Sequence, residues 1–86
     1  MEIRYIDPVY LFPKTLKKID YQTIIIFGTN NGVDYFSQEG KRINSKQILD
    51  KYYNFKFIID EKPFYANILS DKIYWEDGVI WTKYRN

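Results

Sequence analysis

Carboxylates are the side chains from which any acid–base or metal chemistry of this sequence would have to come. The sequence has no histidine and no cysteine, so imidazole bases, thiolate nucleophiles, thiolate zinc sites and disulfide bonds are excluded. Two adjacent pairs, Asp60-Glu61 and Glu76-Asp77, lie in segments typical of turns, where carboxylates serve local hydrogen bonding. Paired-carboxylate hydrolysis needs two carboxyl groups that face one cleft, and a small core offers a poor cleft. We therefore expect no enzyme activity, no catalytic residue, no metal ligand and no cofactor.

A glycine- and asparagine-rich segment, residues 28–32, follows the most apolar run of the chain. It lacks the spacing of the phosphate-binding patterns G-x-x-x-x-G-K-[ST] and G-x-G-x-x-G, and the residues after it are strand-like. An Asn-Gly pair between two apolar runs is instead typical of a β-hairpin. The spacing predicts a two-residue turn at Asn31-Gly32 that places Phe27 opposite Phe36.

Length and composition indicate one folded domain, residues 1–86, whose core is rich in aromatic side chains. Of the 86 residues, 20% are aromatic, and a small core gains most from side chains that bury a large area. The net charge of +2 neither requires nor forbids a nucleic-acid partner. The sequence has no long apolar run and no signal-peptide pattern, so we expect a cytoplasmic protein without a membrane partner.

Alternating and β-branched runs predict strands near the start of the chain. Glu2 to Ile6 alternates in polarity and ends at Asp7-Pro8. Thr23 to Phe27 is apolar on both faces, as a strand covered on both sides would be. The run Lys14 to Lys18 between them is predicted to be a basic turn.

One amphipathic helix is predicted over residues 44–54. Asn44 is a suitable N-cap, and Gln47 three positions later can reach back to the cap amide. Four apolar or aromatic residues recur at helical spacing on one face: Ile48, Leu49, Tyr52 and Tyr53. The sequence therefore predicts an α+β fold, a small antiparallel β-sheet with one amphipathic helix packed on a face.

Two turn types fit the segment Glu76-Asp77-Gly78, and they predict different surfaces. A two-residue turn at Asp77-Gly78 places Trp75 and Trp81 on opposite faces of the hairpin. A type I turn followed by Gly78 as a left-handed bulge residue places both tryptophans on one face.

Charge pairing favours the bulged register of this hairpin. The two-residue turn sets Lys72 opposite Lys83, whereas the bulged turn sets Asp71 opposite Lys83. Opposite charges across an antiparallel pair are favourable and like charges are not. In the bulged register the outer face carries Lys72, Tyr74, Ile80 and Tyr84.

Phe64, Ile68 and the hairpin at residues 73–79 form a closing block with the pattern Phe, short strand, apolar-x-Trp-x-x-Gly-apolar. This block, with the strand at 24–27 and the turn at Gly32, resembles a family of small bacterial domains of unknown function. The family more often has an acidic and an aliphatic residue where this chain has Val79-Ile80-Trp81. The resemblance implies an α+β fold, no known enzyme activity and genes that lie beside toxin–antitoxin or mobile-element genes. It implies no site residues.

These observations together predict a small non-catalytic protein-interaction module. Abundant tyrosine and tryptophan with mixed charge is typical of the residues that dominate protein interfaces. We expect a regulator or inhibitor, encoded by a phage or mobile element, that covers a surface on a larger protein; a second copy of the chain is a further expected partner. The predicted contact residues are Lys72, Tyr74, Ile80 and Tyr84.

The alternative is a single-stranded nucleic-acid-binding domain, in which aromatic rings stack on bases and basic side chains contact phosphates. The chain has 13 basic and 11 acidic residues, so this function is the second choice. Its candidate groups are Lys14, Lys17 and Lys18 near Tyr10, and Lys72, Lys83 and Arg85 near Tyr74 and Tyr84.

Overall fold

The computed structural model describes residues 1–84, and in that range the regular elements are all β-strands. The strands are β1 (Glu2–Ile6), β2 (Lys14–Lys18), β3 (Thr23–Thr29), β4 (Tyr35–Ile48), β5 (Lys51–Ile59), β6 (Lys62–Ile68), β7 (Lys72–Trp75) and β8 (Ile80–Lys83). Among these residues there is no helix of the length and apolar character needed to cross a membrane.

The strands form a closed antiparallel barrel in which each strand pairs with its neighbours along the chain. The barrel closes where β1 meets β8, with Tyr5 opposite Lys83 and Ile6 opposite Thr82. Closure pairs the backbone groups that the two end strands of an open sheet would leave free. The predicted α+β fold, a sheet with one helix on a face, is therefore wrong, because the described chain is all-β.

The predicted helix at 44–54 is the end of the β4–β5 hairpin, which turns at residues 49–50 with Leu49 at φ 57°. Helical spacing placed Leu49 and Tyr52 on a buried face, but these side chains are 90% and 59% exposed. Instead, the buried side chains recur at every second position, as in a β-strand. These are the aromatic side chains at alternate positions of β5: Tyr53, Phe55 and Phe57.

The run Lys14 to Lys18 is strand β2, so its prediction as a basic turn is wrong. Lys14 and Leu16, at alternate positions, point into the barrel and are buried, whereas Lys17 and Lys18 are exposed. Lysine normally marks solvent-facing positions. The buried Lys14 is tolerated because it meets a buried carboxylate, which is described below.

The predicted two-residue turn at Asn31-Gly32 is also wrong, since the loop between β3 and β4 spans residues 30–34. As a result Phe27 lies opposite Ser37 and not opposite Phe36. The side chain of Asn31 organises this longer loop, because its Oδ1 accepts hydrogen bonds of 2.8 Å from the backbone amides two and three positions later. The strand predicted from Thr23 is confirmed and continues to Thr29.

The bulged register of the last hairpin is confirmed. Ile73 lies opposite Trp81, the Gly78 amide donates a hydrogen bond of 3.0 Å to the Trp75 carbonyl, and Gly78 has φ 94°. A left-handed φ of this kind suits glycine and completes the bulged turn. Both tryptophans therefore face the barrel interior, with ring centroids 5.1 Å apart.

The barrel interior is filled by one hydrophobic cluster with a large share of aromatic rings. Its buried members are Tyr5, Leu16, Ile24, Ile26, Phe55, Phe57, Ala66, Ile73 and Trp81. An eight-stranded barrel is just wide enough for side chains to fill it, so bulky rings need small residues opposite them. Gly40 faces Phe57, and a Cβ at this position would overlap the phenyl ring. The packing therefore requires glycine at position 40.

Gly40→Ala should lower the free energy of unfolding by about 1–3 kcal/mol, because the added methyl group displaces the Phe57 ring. In a Phe57→Leu background the same change should cost less, since leucine leaves space for the methyl group. Urea unfolding followed by tryptophan fluorescence measures all four stabilities. If the two substitutions lowered the free energy of unfolding by strictly additive amounts, the Phe57 ring would not be what excludes a side chain at position 40.

The buried phenol of Tyr5 couples stability to alkaline pH. Tyr5 is 1% exposed, and burial together with the nearby Asp71 carboxylate raises the pKa of its phenol above the ordinary value of 10.0. The folded state therefore holds the Tyr5 proton more tightly than the unfolded state does. This contribution to stability is fully present below the unfolded pKa and is lost as the pH rises through the raised folded pKa.

Tyr5→Phe should accordingly flatten the loss of stability above about pH 10, where the unfolded phenol ionises first. Urea unfolding of wild type and variant at a series of pH values measures the two slopes. The two proteins differ only at this hydroxyl group, so the difference between the slopes isolates Tyr5. Equal slopes would mean that Tyr5 ionises alike in both states.

Candidate binding sites on the wall and at the mouth of the barrel

Strands β4 and β5 continue beyond the barrel wall as a two-stranded ribbon, residues 43–54, here called the arm. The last pair between β3 and β4 is Thr23 with Lys41, and the last between β5 and β6 is Phe55 with Ala66. The register of β4 against β5 shifts after Arg42, as in a β-bulge. Because bulges bend the strand that carries them, the arm departs from the curvature of the wall.

The side chain of Asn54 attaches the arm to β6. Its Oδ1 accepts a hydrogen bond of 2.9 Å from the Ile68 amide, and its Nδ2 donates one of 3.4 Å to the Ile68 carbonyl. A side-chain amide has one donor and one acceptor group, so it replaces a backbone pair at the point where the ladder ends. Lys46 adds a weaker contact, with its ammonium 5.7 Å from the centre of the Tyr65 ring.

A groove of about 560 Å³, here called the outer groove, lies between the arm and the outer faces of β6, β7 and β8. Acidic and basic residues both occur among those that line it, including Asp50, Lys51 and Glu76. Exposed apolar surface bordered by polar residues is typical of a protein-binding site. The exposed apolar side chains of the groove are Leu49 (90%), Tyr52 (59%), Leu69 (51%) and Ile80 (41%).

The structure brings together two of the four predicted contact residues. Tyr74 and Ile80 are cross-strand neighbours on β7 and β8, and both line the outer groove. Lys72 pairs with Thr82 further along the same strands and is not among the lining residues. Tyr84 lies apart, in a separate depression beside Arg4, whose guanidinium is 5.8 Å from the tyrosine ring centre.

The sequence did not identify the contributions of Leu49, Tyr52 and Leu69 to this groove. The helical interpretation of residues 44–54 assigned Leu49 and Tyr52 to a core-facing stripe. The alternation of Tyr53, Phe55 and Phe57 was the signal that places Tyr52 on the opposite, outer face of a strand.

The basic residues predicted to contact a nucleic acid do not all lie together in the structure. Lys14 is buried inside the barrel and cannot contact a phosphate from outside, whereas Lys17 and Lys18 remain exposed. In the second group, Lys72 and Lys83 lie on neighbouring strands, and Arg85 lies outside the described residues.

The two ends of the barrel differ. The end that carries the loops 7–13, 30–34, 60–61 and 76–79, here called the mouth, holds a cavity of about 350 Å³. At the other end, the Arg42 guanidinium lies 4.2 Å from the centre of the Tyr21 ring and 4.6 Å from that of Phe55. Its Nε also donates a hydrogen bond of 2.9 Å to the Tyr21 carbonyl. Arg42 thus covers the core at the end opposite the mouth.

Aromatic rings form much of the wall of the mouth cavity. The ring of Trp75 packs against Trp81 at a centroid distance of 5.1 Å and against Phe57 at 5.2 Å. Tyr10, Phe36 and Phe64 complete the aromatic part of the lining. The Nε1 atom of Trp75 is buried and has no hydrogen-bond partner among residues 1–84.

A buried ion pair lies at one side of the mouth cavity. The Lys14 Nζ is 3.0 Å from the Asp7 Oδ2, and the side chains are 1% and 3% exposed. The ammonium also donates a hydrogen bond of 2.9 Å to the Phe12 carbonyl, while the Asp7 Oδ1 accepts one of 2.9 Å from the Val9 amide. The pair therefore anchors the loop 7–13 onto β2. Gly28 makes space for it, because a Cβ there would lie 2.9 Å from the Lys14 Cδ.

This pair was not predicted from the sequence as a structural or binding feature. An available signal was Asp7 directly before Pro8, since aspartate there commonly accepts hydrogen bonds from the backbone of the turn that follows. The partner of Asp7 is seven positions away and on the next strand, so only the pairing of β1 with β2 brings the charges together.

The two carboxylate pairs take part in turns, as predicted. Glu76 Oε1 accepts a hydrogen bond of 3.0 Å from the Tyr65 amide, and Asp77 Oδ1 accepts one of 3.0 Å from the Val79 amide. Asp60 and Glu61 form the turn between β5 and β6, both with positive φ. Over residues 1–84 no three carboxylates lie close enough together to hold a metal ion.

No protein-family model, curated protein or solved structure matches this chain. The resemblance of the closing block to small bacterial domains therefore remains a prediction.

The Asp7–Lys14 pair yields a test of how much the mouth loop depends on it. Asp7→Asn or Lys14→Met alone should lower the free energy of unfolding by about 3–5 kcal/mol, because each leaves an uncompensated buried charge. The double variant leaves no buried charge and should cost clearly less than the sum. A urea-unfolding double-mutant cycle measures the coupling. Additive costs would show that the two charges do not interact.

Proposed function

We propose that this protein is a non-catalytic binding module that holds an apolar segment of another protein in the outer groove. The observation that carries the proposal is the concentration of exposed large apolar side chains on both sides of one groove, from Leu49 and Tyr52 on the arm to Leu69 and Ile80 on the wall. Exposure of large apolar side chains to water is unfavourable, and burying them against a partner supplies the main driving force of association.

On the barrel wall, the topology favours docking through side chains. Every strand of the barrel wall has a neighbour on each side, so among the described residues the long unpaired strand edges are those of the arm, where β4 beyond Lys41 and β5 before Phe55 pair only with each other. The partner segment would insert apolar side chains between the arm and the wall. Tyr74 and Tyr52 supply aromatic contact area there, which is typical of the residues that dominate interface energies.

The charges of the groove favour a protein over a single-stranded nucleic acid. Asp50 and Glu76 are among its lining residues, where they would repel phosphates, and Lys14 is engaged inside the barrel. The role as a regulator or inhibitor that covers a surface of a larger protein belongs to the same proposal. So does the origin in a phage or mobile element.

The proposal predicts that charges introduced into the outer groove abolish binding without unfolding the barrel. The test variant is Leu49→Asp/Ile80→Asp, which changes two exposed side chains on opposite sides of the groove. Affinity for the partner should fall by about 30-fold or more, the effect of losing one dominant interface residue. The matched control is Val33→Asp, an exposed aliphatic residue (77%) in the loop 30–34.

Tagged wild type, groove variant and control are incubated with extract of the native host, with and without nuclease treatment, and retained polypeptides are identified by mass spectrometry. Wild type and Val33→Asp should retain the same polypeptide, and the groove variant should lose it, while thermal unfolding shows that all three fold. Retention by the groove variant would contradict the proposal. Binding that disappears on nuclease treatment would support the nucleic-acid alternative.

A second copy of the chain is a distinct outcome of the same design. If the groove mediates self-association, wild type and Val33→Asp sediment as dimers while Leu49→Asp/Ile80→Asp sediments as a monomer. This result would replace the foreign partner with the chain itself.

A further inference from the structure

We infer that the mouth of the barrel is a binding site for a small, uncharged, planar heteroaromatic molecule that carries a carbonyl oxygen. The cavity of about 350 Å³ falls in the lower part of the size range of small-molecule sites, and barrel mouths are among the places where such sites occur. Among the described residues, Trp75 is the one shared by the linings of this cavity and the outer groove. The inference does not depend on the proposed function.

The walls select a flat ring. Trp75, Trp81, Phe57 and Phe64 present ring surfaces or edges to the cavity, and the first three are already packed at centroid distances of 5.1 and 5.2 Å. Aromatic rings attract a further ring at such distances, in offset-stacked or edge-to-face arrangements. A bicyclic molecule therefore gains contacts on several sides that a linear aliphatic chain of equal size does not.

The charges in the lining select an uncharged ligand. The Lys14 ammonium is neutralised by the Asp7 carboxylate at 3.0 Å, and Asp77 adds a further carboxylate among the lining residues. An anion would meet an excess of negative charge there, and a cation would compete with Lys14 for Asp7. A neutral molecule leaves the ion pair intact, which matters because breaking a buried pair is costly.

The N–H donors that line the cavity favour a ligand that carries a hydrogen-bond acceptor. An ammonium has three N–H donors, of which Asp7 and Phe12 take two, and the rings of Tyr10 and Trp81, each with its centre 5.8 Å from the Lys14 Nζ, flank it. The indole N–H of Trp75 is buried and has no hydrogen-bond partner among residues 1–84. Buried donors of this kind are normally satisfied by water or by a ligand, and a carbonyl oxygen is the neutral group that serves them best.

Gln38 adds a directional partner. It lies on the inner face of β4, is half-buried and lines the cavity, and its side-chain amide offers a donor and an acceptor. A ring that carries both a carbonyl and an N–H, as a lactam does, can pair with this amide while it accepts from Lys14. The chemistry of the site therefore points to a lactam-type heteroaromatic ring.

The test uses 2-quinolone, a bicyclic lactam, and naphthalene, which has the same ring framework without polar groups. Binding is followed in ¹H–¹⁵N spectra through the indole N–H signals, because both tryptophans of the chain line the cavity. We expect 2-quinolone to shift these signals saturably with a Kd of about 1 mM or tighter, and naphthalene to bind at least tenfold more weakly, about the effect of one charge-assisted hydrogen bond.

Two variants test whether the ligand binds through its polar contacts or only because it fits the volume of the cavity. Val79→Phe should abolish the shifts by filling the cavity. Asp7→Asn/Lys14→Met, which removes the ammonium and leaves no buried charge, should weaken 2-quinolone about tenfold or more and leave naphthalene unchanged. Ile19→Asp, an exposed position between β2 and β3 at the end opposite the mouth, should change neither affinity and serves as the control.

Three results would overturn the inference. The first is an absence of saturable shifts with 2-quinolone in the wild type, which would make the cavity a hydrated recess. The second is undiminished binding to Val79→Phe, which would place the ligand elsewhere on the surface. The third is equal affinity for 2-quinolone and naphthalene, which would show that the Lys14 donor plays no part. Val79→Phe keeps the test decisive if the charge-free double variant does not fold.

Discussion

Strands β1 and β8 meet over a short ladder, and this seam turns a curved sheet into a barrel. Tyr5 lies opposite Lys83, Ile6 lies opposite Thr82, and the Tyr84 amide donates a hydrogen bond of 2.7 Å to the Arg4 carbonyl. The other strand pairs join elements that are consecutive in the chain, so they close short loops at small entropic cost. The seam joins the two ends of the described chain and so closes a longer loop than the other strand pairs do, at a larger entropy cost. It also positions the mouth, because Asp7 follows Ile6 directly.

The limited width of an eight-stranded barrel accounts for the unusual composition. With few inward positions available, each must carry a bulky side chain or make space for one, as Gly40 does for Phe57 and Gly28 does for Lys14. The fully buried Ala66 lies opposite Phe55 for the same reason. Aromatic residues thus fill the middle of the barrel, and where their packing ends below the mouth loops, a cavity remains.

The sequence predicted several local features correctly but not the closure. The strands from Glu2 and Thr23 and the bulged hairpin at Gly78 follow from alternation, β-branching and charge pairing, which act between residues close in the chain. The helix at 44–54 was wrong because four residues matched a helical stripe by coincidence, while the stronger two-residue period began inside the same segment. Of the candidate site, Tyr74 and Ile80 were found from the hairpin register alone. Their neighbours Leu49 and Leu69, and the pairing of Asp7 with Lys14, depend on contacts between different strands, which no local pattern encodes.

The attachment of the arm through Asn54 has a consequence for binding thermodynamics. Beyond that side chain the ribbon has no further backbone ladder to the barrel, but it carries the buried Tyr53 side chain and the contact of Lys46 with the Tyr65 ring, so any tilt of the arm has to shift these side chains. The width of the outer groove thus depends on side-chain contacts and not on a backbone ladder, and a guest that immobilises the arm would lose part of its binding free energy to the entropy cost of ordering. Guests of different bulk would fit by different arm positions and differ mainly in entropy. One small barrel would in this way accept a range of related segments with similar affinities.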